Sequence, residues 1–205
     1  MASLYLDADE CARWYNDSGD NTHSIEYNLT PDSTVVEVGG FVGAWAKRMF
    51  YKYACNMYII EPLPIFYGEL QNRLGRHKKV RLSNVGVGLE DKKDIMYLGN
   101  DGSSFNVKTE QPVEVELRTI SRILDEWGLA EVDLLQMNIE GAEYEIIEDM
   151  IQTGVIDRIK NIQVQFHLGI EDDVEKHYHI SKGLEARGFK VKYSYLFAWE
   201  GWTKL

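Results

Sequence analysis

The sequence predicts an α/β fold: a doubly wound, mostly parallel sheet with helices on both faces and a C-terminal antiparallel hairpin. Two observations carry this prediction. Short β-branched or apolar runs alternate with stretches of helical periodicity from residue 34 to residue 188, as in sheets built from β-α-β units. Two aromatic-rich runs then follow in 189–203, a pattern typical of a terminal hairpin. With 205 residues, the chain has room for one domain with a sizeable core.

The domain is expected to begin after a polar segment. Residues 1–30 carry only a short helical pattern around Asp9–Tyr15, so we interpret them as an N-terminal extension or cap and 31–205 as the domain. Thr34–Val38 is a β-branched run between a proline and a pair of glycines, which predicts a strand. In 42–54 the apolar side chains recur at helical spacing, which predicts a helix.

Apolar runs bounded by turn residues continue through the middle of the chain. The run Met57–Ile60 is followed by Glu61 and Pro62. The last two runs enclose a glycine- and serine-containing loop, NDGSSFN. The predicted elements here are the strand Met57–Ile60, the helix Ile65–Leu74 and the strands Val80–Val87, Ile95–Leu98 and Val113–Leu117.

The second half alternates more regularly. Its last helix ends at Gly188, since glycine is a common left-handed cap. The hairpin turn is expected at Ser194–Tyr195 or at Glu200–Gly201. The predicted elements are the helices Ile120–Trp127, Glu143–Ile151 and Asp173–Arg187 and the strands Val132–Ile139 and Ile162–Phe166.

The first strand leads into a glycine-rich turn, EVGGFVG at residues 37–43. Glycines at such a position let the backbone turn into a helix and approach a ligand closely, although any tight strand-to-helix turn also needs them. The spacing is not the G-x-G-x-x-G of dinucleotide sites. An acid two residues before the first glycine favours an S-adenosylmethionine site instead. The predicted cofactor contacts in this turn are Glu37, Gly39, Gly40, Phe41 and Gly43.

Two further strands end in polar residues at the same edge of the predicted sheet. Glu61 follows the second strand, where a carboxylate can accept hydrogen bonds from both hydroxyls of a ribose. Asn84 follows the third strand and can meet the polar edge of adenine, while Val85 packs on the adenine face. Because ligands bind outside the carboxyl ends of parallel strands, these strand ends together indicate an adenosine cofactor.

Three motifs occur in the order in which a known family carries them. EVGGFVG at 37–43 matches an acid followed by V-G-A-N-x-G, Glu61–Pro64 matches E-P-x-P, and QMNIEGAE at 136–143 matches K-I-D-V-E-G-A-E. The pair Ser103–Ser104 matches a further small motif. With these motifs the chain resembles the FkbM-type S-adenosylmethionine-dependent methyltransferases over roughly 34–170.

This resemblance implies a class I methyltransferase-like (Rossmann-like) fold and S-adenosylmethionine as the cofactor, with Pro62 and Asn138 added to the cofactor contacts. It also implies transfer of a methyl group, typically to a hydroxyl oxygen. Several positions depart from the family pattern. Gln136 replaces a lysine, Asn138 an aspartate and Gln165 an acid, and Ser121 stands where an aspartate is expected. These exchanges leave cofactor binding expected and the catalytic assignment open.

Methyl transfer to an aliphatic hydroxyl requires that the acceptor be positioned and its proton removed. Histidine titrates near neutral pH, so we predict that His167, at the end of the fifth strand, is the general base. The alternative is a strand-end histidine bonded to the backbone. Asn138 and Glu140 are the other predicted catalytic residues, since both follow the fourth strand. Glu143 is better interpreted as a helix cap.

No metal is expected at this edge of the sheet. A Mg²⁺ site needs several hard oxygen ligands, and the amides of Asn138 and Gln165 each remove a potential negative charge. His177 and His179 lie two residues apart in a predicted helix and therefore point in different directions. We interpret the segment around them as a solvated helix start.

The composition restricts the partners. The net charge of −11 argues against nucleic acid, and no apolar stretch approaches the roughly 20 residues that span a bilayer. The N-terminus lacks the pattern of a signal peptide, and Cys11 and Cys55 give no disulfide framework. We therefore expect a cytoplasmic protein whose partner is a small-molecule or glycan acceptor. Two roles stay open for the aromatic residues of the tail: they line the acceptor pocket, or they form a homo-oligomer contact.

Three functions compete. The leading hypothesis is a methyltransferase that acts on a hydroxyl of a small molecule or sugar-containing metabolite. The second is a cofactor-binding protein of the same fold with weak or no catalysis, because amides replace charged groups of the family. The third is a nicotinamide-dependent enzyme, which the glycine spacing and the E-P-x-P motif disfavour.

Overall fold

The computed structural model of the chain describes residues 2–98, 103–104, 112–169 and 171–204. The strands are β1 (Thr34–Val38), β2 (Asn56–Ile60), β3 (Val80–Ser83), β4 (Gly86–Val87), β5 (Lys92–Leu98), β6 (Ser103–Ser104), β7 (Pro112–Arg118), β8 (Leu134–Met137), β9 (Asn161–Val164), β10 (Phe189–Tyr195) and β11 (Trp199–Lys204). The α-helices are α1 (Ala2–Asn16), α2 (Ala44–Tyr53), α3 (Pro64–Leu74), α4 (Ile120–Glu126), α5 (Glu143–Thr153) and α6 (Asp173–Ala186). A 3-10 helix covers Val155–Arg158.

Seven strands form the central sheet in the order β10-β11-β9-β8-β1-β2-β3. The five strands from β9 to β3 are parallel. At the other end β11 pairs antiparallel with β9 and with β10. The prediction of a mostly parallel sheet with a C-terminal antiparallel hairpin is therefore confirmed.

Both faces of this sheet are covered, because the strands are apolar on both sides. Val36 and Val38 of β1 pack with α4, α5 and α6. Val35, from the same strand, packs with α2, α3 and the segment around Tyr27. This is the pattern of a parallel strand buried between two helical layers, and it explains why the sequence of β1 after its first residue is apolar on both faces apart from Glu37. None of the described helices has the length and apolarity to cross a membrane.

The predicted strand Val80–Val87 is wrong, because the chain changes sheet within it. β3 ends at Ser83, and β4 joins a second sheet of order β4-β7-β5-β6. The side-chain amide of Asn84, between the two strands, donates to the carbonyls of Glu61 and Pro62 at 2.9 Å each. The apolar pattern could not reveal the change, since Val85 and Val87 are buried on both sides of it. Most of the predicted NDGSSFN loop lies outside the described residues.

The N-terminal segment is more structured than the sequence suggested. α1 is longer than the predicted helix, and Trp14 at its end packs against Tyr193 and Tyr195 of the terminal hairpin. The hairpin turn lies at 196–198, where Phe197 has a positive φ of 62°, and not at either predicted position. The division into an extension and a domain stays a prediction.

Candidate active site

A cavity lies where the carboxyl ends of β1, β2 and β8 meet. Its polar side chains, among the described residues, are Glu61, Asn138 and Glu140. Apolar groups form the rest of its wall, and they come from three places: the strand ends, α3 and the second sheet. Examples are Ile60, Phe66, Val87 and Met96. An apolar pocket with a few convergent polar groups at this edge of a parallel sheet is the usual form of a ligand site.

The glycine turn after β1 brings two strand ends into contact. The backbone N–H groups of Gly39 and Gly40 both donate to the carbonyl of Ile60 at 3.0 Å. Gly39 has a φ of 87°, and a Cβ atom there would lie 2.1 Å from the carbonyl oxygen of Asn138. Glycine is therefore required, because a side chain would separate β1 from the loop after β8. Phe41 lines the cavity and has a positive φ of 45°.

Glu61 holds two backbone segments while it faces the cavity. Its Oε2 accepts a hydrogen bond from the N–H of Phe41 at 2.8 Å, and its Oε1 accepts one from the N–H of Leu63 at 2.9 Å. Burial raises the pKa of this carboxyl group, and the two N–H donors oppose that rise. Each carboxylate oxygen retains a second lone pair that can accept from a ligand.

Glu37 lies behind the glycine turn and not in the cavity wall. It is buried, and it accepts a hydrogen bond from the N–H of Ala46 in the first turn of α2, where Gly43 provides no side-chain cap. Burial, and then the nearby charge of Glu61, raise the pKa of Glu37 well above its usual range. Its Oε2 has no hydrogen-bond partner among the described residues.

Besides Glu37, four predicted cofactor contacts lie away from the cavity wall: Gly40, Gly43, Asn84 and Val85. Val85 is a core residue, Gly43 begins α2, and Asn84 uses its amide N–H groups on the E-P-x-P backbone. Gly86 and Val87 line the cavity instead. Nothing in the apolar run pointed to them, since they belong to the short strand β4 of the second sheet. Contact of these five residues with a cofactor stays a prediction.

The loop after β8 turns sharply and is held by one buried acid. Glu140 and Gly141 both have positive φ values, 58° and 106°. Glu143, at the start of α5, accepts hydrogen bonds from the N–H of Ile139 at 2.7 Å and of Gly141 at 2.8 Å. Glu143 is therefore not the predicted helix cap: α5 has no side-chain cap bond, and Glu143 binds N–H groups of the loop before the helix. Asn138 lines the cavity, and its buried Oδ1 has no partner among the described residues.

His167 stands between the two acids of this loop. Its Nδ1 lies 3.0 Å from Oε1 of Glu143, and its Nε2 lies 3.6 Å from Oε2 of Glu140. The hydroxyl of Tyr144 donates to the backbone carbonyl of His167 at 2.8 Å. His167 does not line the cavity itself, but it contacts Glu140, which does. The fold therefore brings together all three residues predicted to be catalytic: Asn138, Glu140 and His167.

The neutral residue that replaces the family's lysine lies beside Glu37. Gln136 of β8 is the register neighbour of Glu37 in β1, so both side chains point to the same face of the sheet. Gln136 is buried, and its Oε1 has no partner among the described residues. Glu37 Oε2 and Gln136 Oε1, two buried acceptors that no described residue satisfies, thus lie on adjacent strands.

The described residues contain no cluster of three His, Cys, Asp or Glu side chains that could share a metal ion. The two acids near His167 approach opposite ring nitrogens, so one ion could not bind all three groups. The side chain of His177 is 14% exposed and lies near Glu200, whereas that of His179 is 67% exposed. They diverge as their spacing predicts, but His177 is more buried than a solvated helix start implies.

Comparison with known proteins places this site in a family. A family model described as the methyltransferase FkbM domain matches residues 37–191. The human protein named probable methyltransferase-like protein 24 is 23% identical, over 58% of this chain and 44% of its own length. The chain thus spans less than half the length of this curated relative.

Two solved structures share the fold. The methyltransferase FkbM of Methylobacillus flagellatus KT is 14% identical, with a TM-score of 0.60 over 86% of this chain and 44% of that protein. Fibrillarin of Aeropyrum pernix, crystallised with natively bound S-adenosyl-L-methionine, is 10% identical, with a TM-score of 0.51 over 91% of this chain and 74% of its own. At these identities the similarity shows the fold alone.

Proposed function

The chain belongs to the FkbM methyltransferase family, and from this premise we propose that it is an S-adenosylmethionine-dependent methyltransferase. We assign as its acceptor a hydroxyl of a small molecule or sugar-containing metabolite. One observation carries the proposal: Glu61, Asn138 and Glu140 line a single cavity, and His167 lies at its edge, 3.6 Å from Glu140.

The residues present fit the cofactor. Asn138 offers a buried acceptor with no partner among the described residues, and a buried acceptor of this kind is costly unless a ligand or water donates to it. Glu61 retains lone pairs for the hydroxyls of a ribose. Gly39 keeps the turn free of a side chain, so the backbone can lie close to a ligand. We assign Glu61, Pro62, Phe41 and the glycine turn to cofactor binding, with Glu37 supporting the turn from behind.

The cofactor supplies, when bound, a methyl group on a sulfonium whose sulfur leaves as a neutral thioether. The chain must then position the acceptor and remove its proton, because an alkyl hydroxyl is a poor nucleophile while protonated. Nε2 of His167, which faces the cavity-lining Glu140, would take up the proton of the acceptor hydroxyl during the transfer. The imidazolium formed there lies between Glu143 and Glu140, whose negative charges stabilise it.

The acceptor class is supported by charge and by the cavity wall. The net charge of −11 disfavours a phosphate backbone as partner, while the wall combines apolar groups with a few hydrogen-bonding ones. An rRNA methylase of Streptococcus thermophilus has the same fold at 15% identity and a TM-score of 0.51, so the fold by itself does not select the acceptor. A cytoplasmic location and a homo-oligomer remain predictions from the sequence.

Calorimetry tests cofactor binding. We expect S-adenosylmethionine and its demethylated product to bind and NAD not to bind. Absence of binding by both adenosine ligands at millimolar concentration would overturn the methyltransferase proposal, and binding of NAD alone would favour the nicotinamide-dependent alternative.

Turnover separates an enzyme from a cofactor-binding protein. Formation of the demethylated product is followed with a panel of hydroxyl-bearing acceptors for the wild type, for His167→Ala and for the control His179→Ala, which removes an exposed histidine from α6. We expect activity to fall only in His167→Ala. Equal activity in the two variants would exclude His167 as the base. Cofactor binding without turnover on any acceptor would support the non-catalytic alternative.

A further inference from the structure

The ring of His167 is held by a carboxylate that no ligand in the cavity reaches. Glu143 is fully buried and does not line the cavity. Its Oε1 lies 3.0 Å from Nδ1 of His167 and also accepts the N–H of Ile139, while its Oε2 accepts the N–H of Gly141. One acid therefore fixes both the loop after β8 and the imidazole after β9.

These contacts decide which ring nitrogen carries the hydrogen. The two backbone N–H groups can only donate, so Nδ1 of His167 is the one neighbour among these three that could accept a proton from the Glu143 carboxyl group. With Glu143 ionised, the carboxylate only accepts, and Nδ1 of His167 is then the donor. In a neutral imidazole with hydrogen on Nδ1, Nε2 carries a lone pair.

We propose that Glu143 is a positioning residue that holds His167 in the Nδ1–H tautomer, with the basic Nε2 directed to the cavity side at Glu140. In some hydrolases a carboxylate orients the catalytic histidine in the same way: the acid acts through the ring and touches no substrate. The proposal rests on the proposed function for the use of Nε2 as a base. The tautomer itself can be tested without turnover.

The backbone of His167 is held from the same helix. Tyr144, the residue after Glu143, donates from its hydroxyl to the carbonyl of His167 at 2.8 Å. With the carbonyl bound by Tyr144 and the ring by Glu143, rotation of the imidazole would break a contact to a fully buried group. Two buried residues of α5 thus hold the ring and the backbone of His167 in the absence of a ligand.

Nuclear magnetic resonance of the cofactor-free protein is the first test. The protein has five histidines, so the His167 ring signals are assigned by their loss in His167→Ala. Long-range proton–nitrogen spectra at a pH where the ring is neutral then identify the protonated nitrogen. We expect hydrogen on Nδ1 in the wild type. Hydrogen on Nε2 would overturn the proposal, and the tautomer is measured in the wild type, so the variant serves only for the assignment.

The second test compares Glu143→Gln with Glu145→Gln. Both change one acid of the first turn of α5, but Glu145 is exposed. We expect Glu143→Gln to shift the tautomer toward Nε2–H and to lower kcat by about 10²- to 10⁴-fold, with the KM for S-adenosylmethionine changed by less than about threefold. Glu143→Asp should restore part of kcat, because it keeps the carboxylate. The control should change neither quantity.

The outcomes separate the two proposals. A lower kcat in Glu143→Gln with an unchanged tautomer would overturn the positioning role, since the residue would then act only through the loop. Failure of the wild type to bind S-adenosylmethionine would overturn the proposed function, whereas the measured tautomer would still decide what Glu143 does to the ring.

Discussion

The carboxylate of Glu61 accepts a 2.8 Å hydrogen bond from the backbone N–H of Phe41. The acid that directly follows β2 therefore also holds the turn that follows β1. A second N–H, from Leu63, occupies its other oxygen. The residue assigned to a ribose is thus already fixed in place before a cofactor binds, which reduces the ordering that binding requires.

We expect Glu61→Gln to raise the Kd for S-adenosylmethionine about 10- to 100-fold. The amide cannot accept at both positions, and hydrogen bonds to a charged group are worth about 1.5–3 kcal/mol. Calorimetry measures the change, with Glu69→Gln on the exposed side of α3 as the control. A Glu61→Gln variant that binds as tightly as this control would contradict the assignment.

Gly39→Ala should destabilise the protein by about 2–4 kcal/mol. A left-handed conformation costs a non-glycine residue about 1–2 kcal/mol, and a Cβ atom 2.1 Å from the Asn138 carbonyl adds the cost of forced packing. Denaturant unfolding gives the free energy. Gly128→Ala is the matched control, since Gly128 has a φ of 69° and open space around it. Equal losses in the two variants would show that the close contact carries no cost.

Glu37→Gln should stabilise the cofactor-free protein at pH 8 by about 1 kcal/mol, the lower end of the cost of a buried group without a partner. The folded state raises the pKa of Glu37, so the folded protein binds this proton more tightly than the unfolded chain. Stability therefore falls as the pH rises from the unfolded pKa through the folded one. Glu37→Gln does not lose stability in this way, so its excess free energy of unfolding over the wild type should shrink toward pH 5.

Unfolding curves at several pH values, with Glu69→Gln as the control for loss of a carboxylate, measure this effect. If the stability gained by Glu37→Gln grew toward low pH, the predicted direction of the pH dependence would be wrong. If the gain were the same at every pH, it would come from packing beside Gln136, the register neighbour of Glu37.

Chelation should leave turnover unchanged. Glu140 and Glu143 approach opposite nitrogens of His167, and Asn138 brings an amide where a hard cation prefers a carboxylate. Activity is measured after dialysis against a chelator and after return of Mg²⁺. Loss on chelation together with recovery on addition of Mg²⁺ would refute metal independence.

The sequence predicted the elements of the sheet well where a buried run is bounded by strong turn residues. Thr34–Val38, between Pro31 and Gly39, is β1 with the same ends. The pattern failed at Val80–Val87, because hydrophobicity reports burial and does not tell which sheet buries a strand. The hairpin turn was misplaced because Phe197, a residue that rarely takes a positive φ, occupies it.

The candidate site was predicted in part. Glu61, Asn138 and Glu140 could be placed because they follow strands whose ends meet at one edge. The bond between Glu143 and His167 could not be predicted, since it joins residues 24 positions apart and requires β8 and β9 to be adjacent. Glu37, predicted at the cofactor, lies under the turn because alternation along β1 directs its side chain toward α2, and its contact with a cofactor stays a prediction.

Two consecutive residues of α5 hold His167, Glu143 by its ring and Tyr144 by its backbone. Neither contact involves the second sheet, which contributes Val87 and Met96 to the cavity wall. Under the proposed function, substrate range and proton transfer are therefore separable in evolution. A descendant of this chain could exchange its second sheet for one that admits a different acceptor and still inherit the orientation of His167.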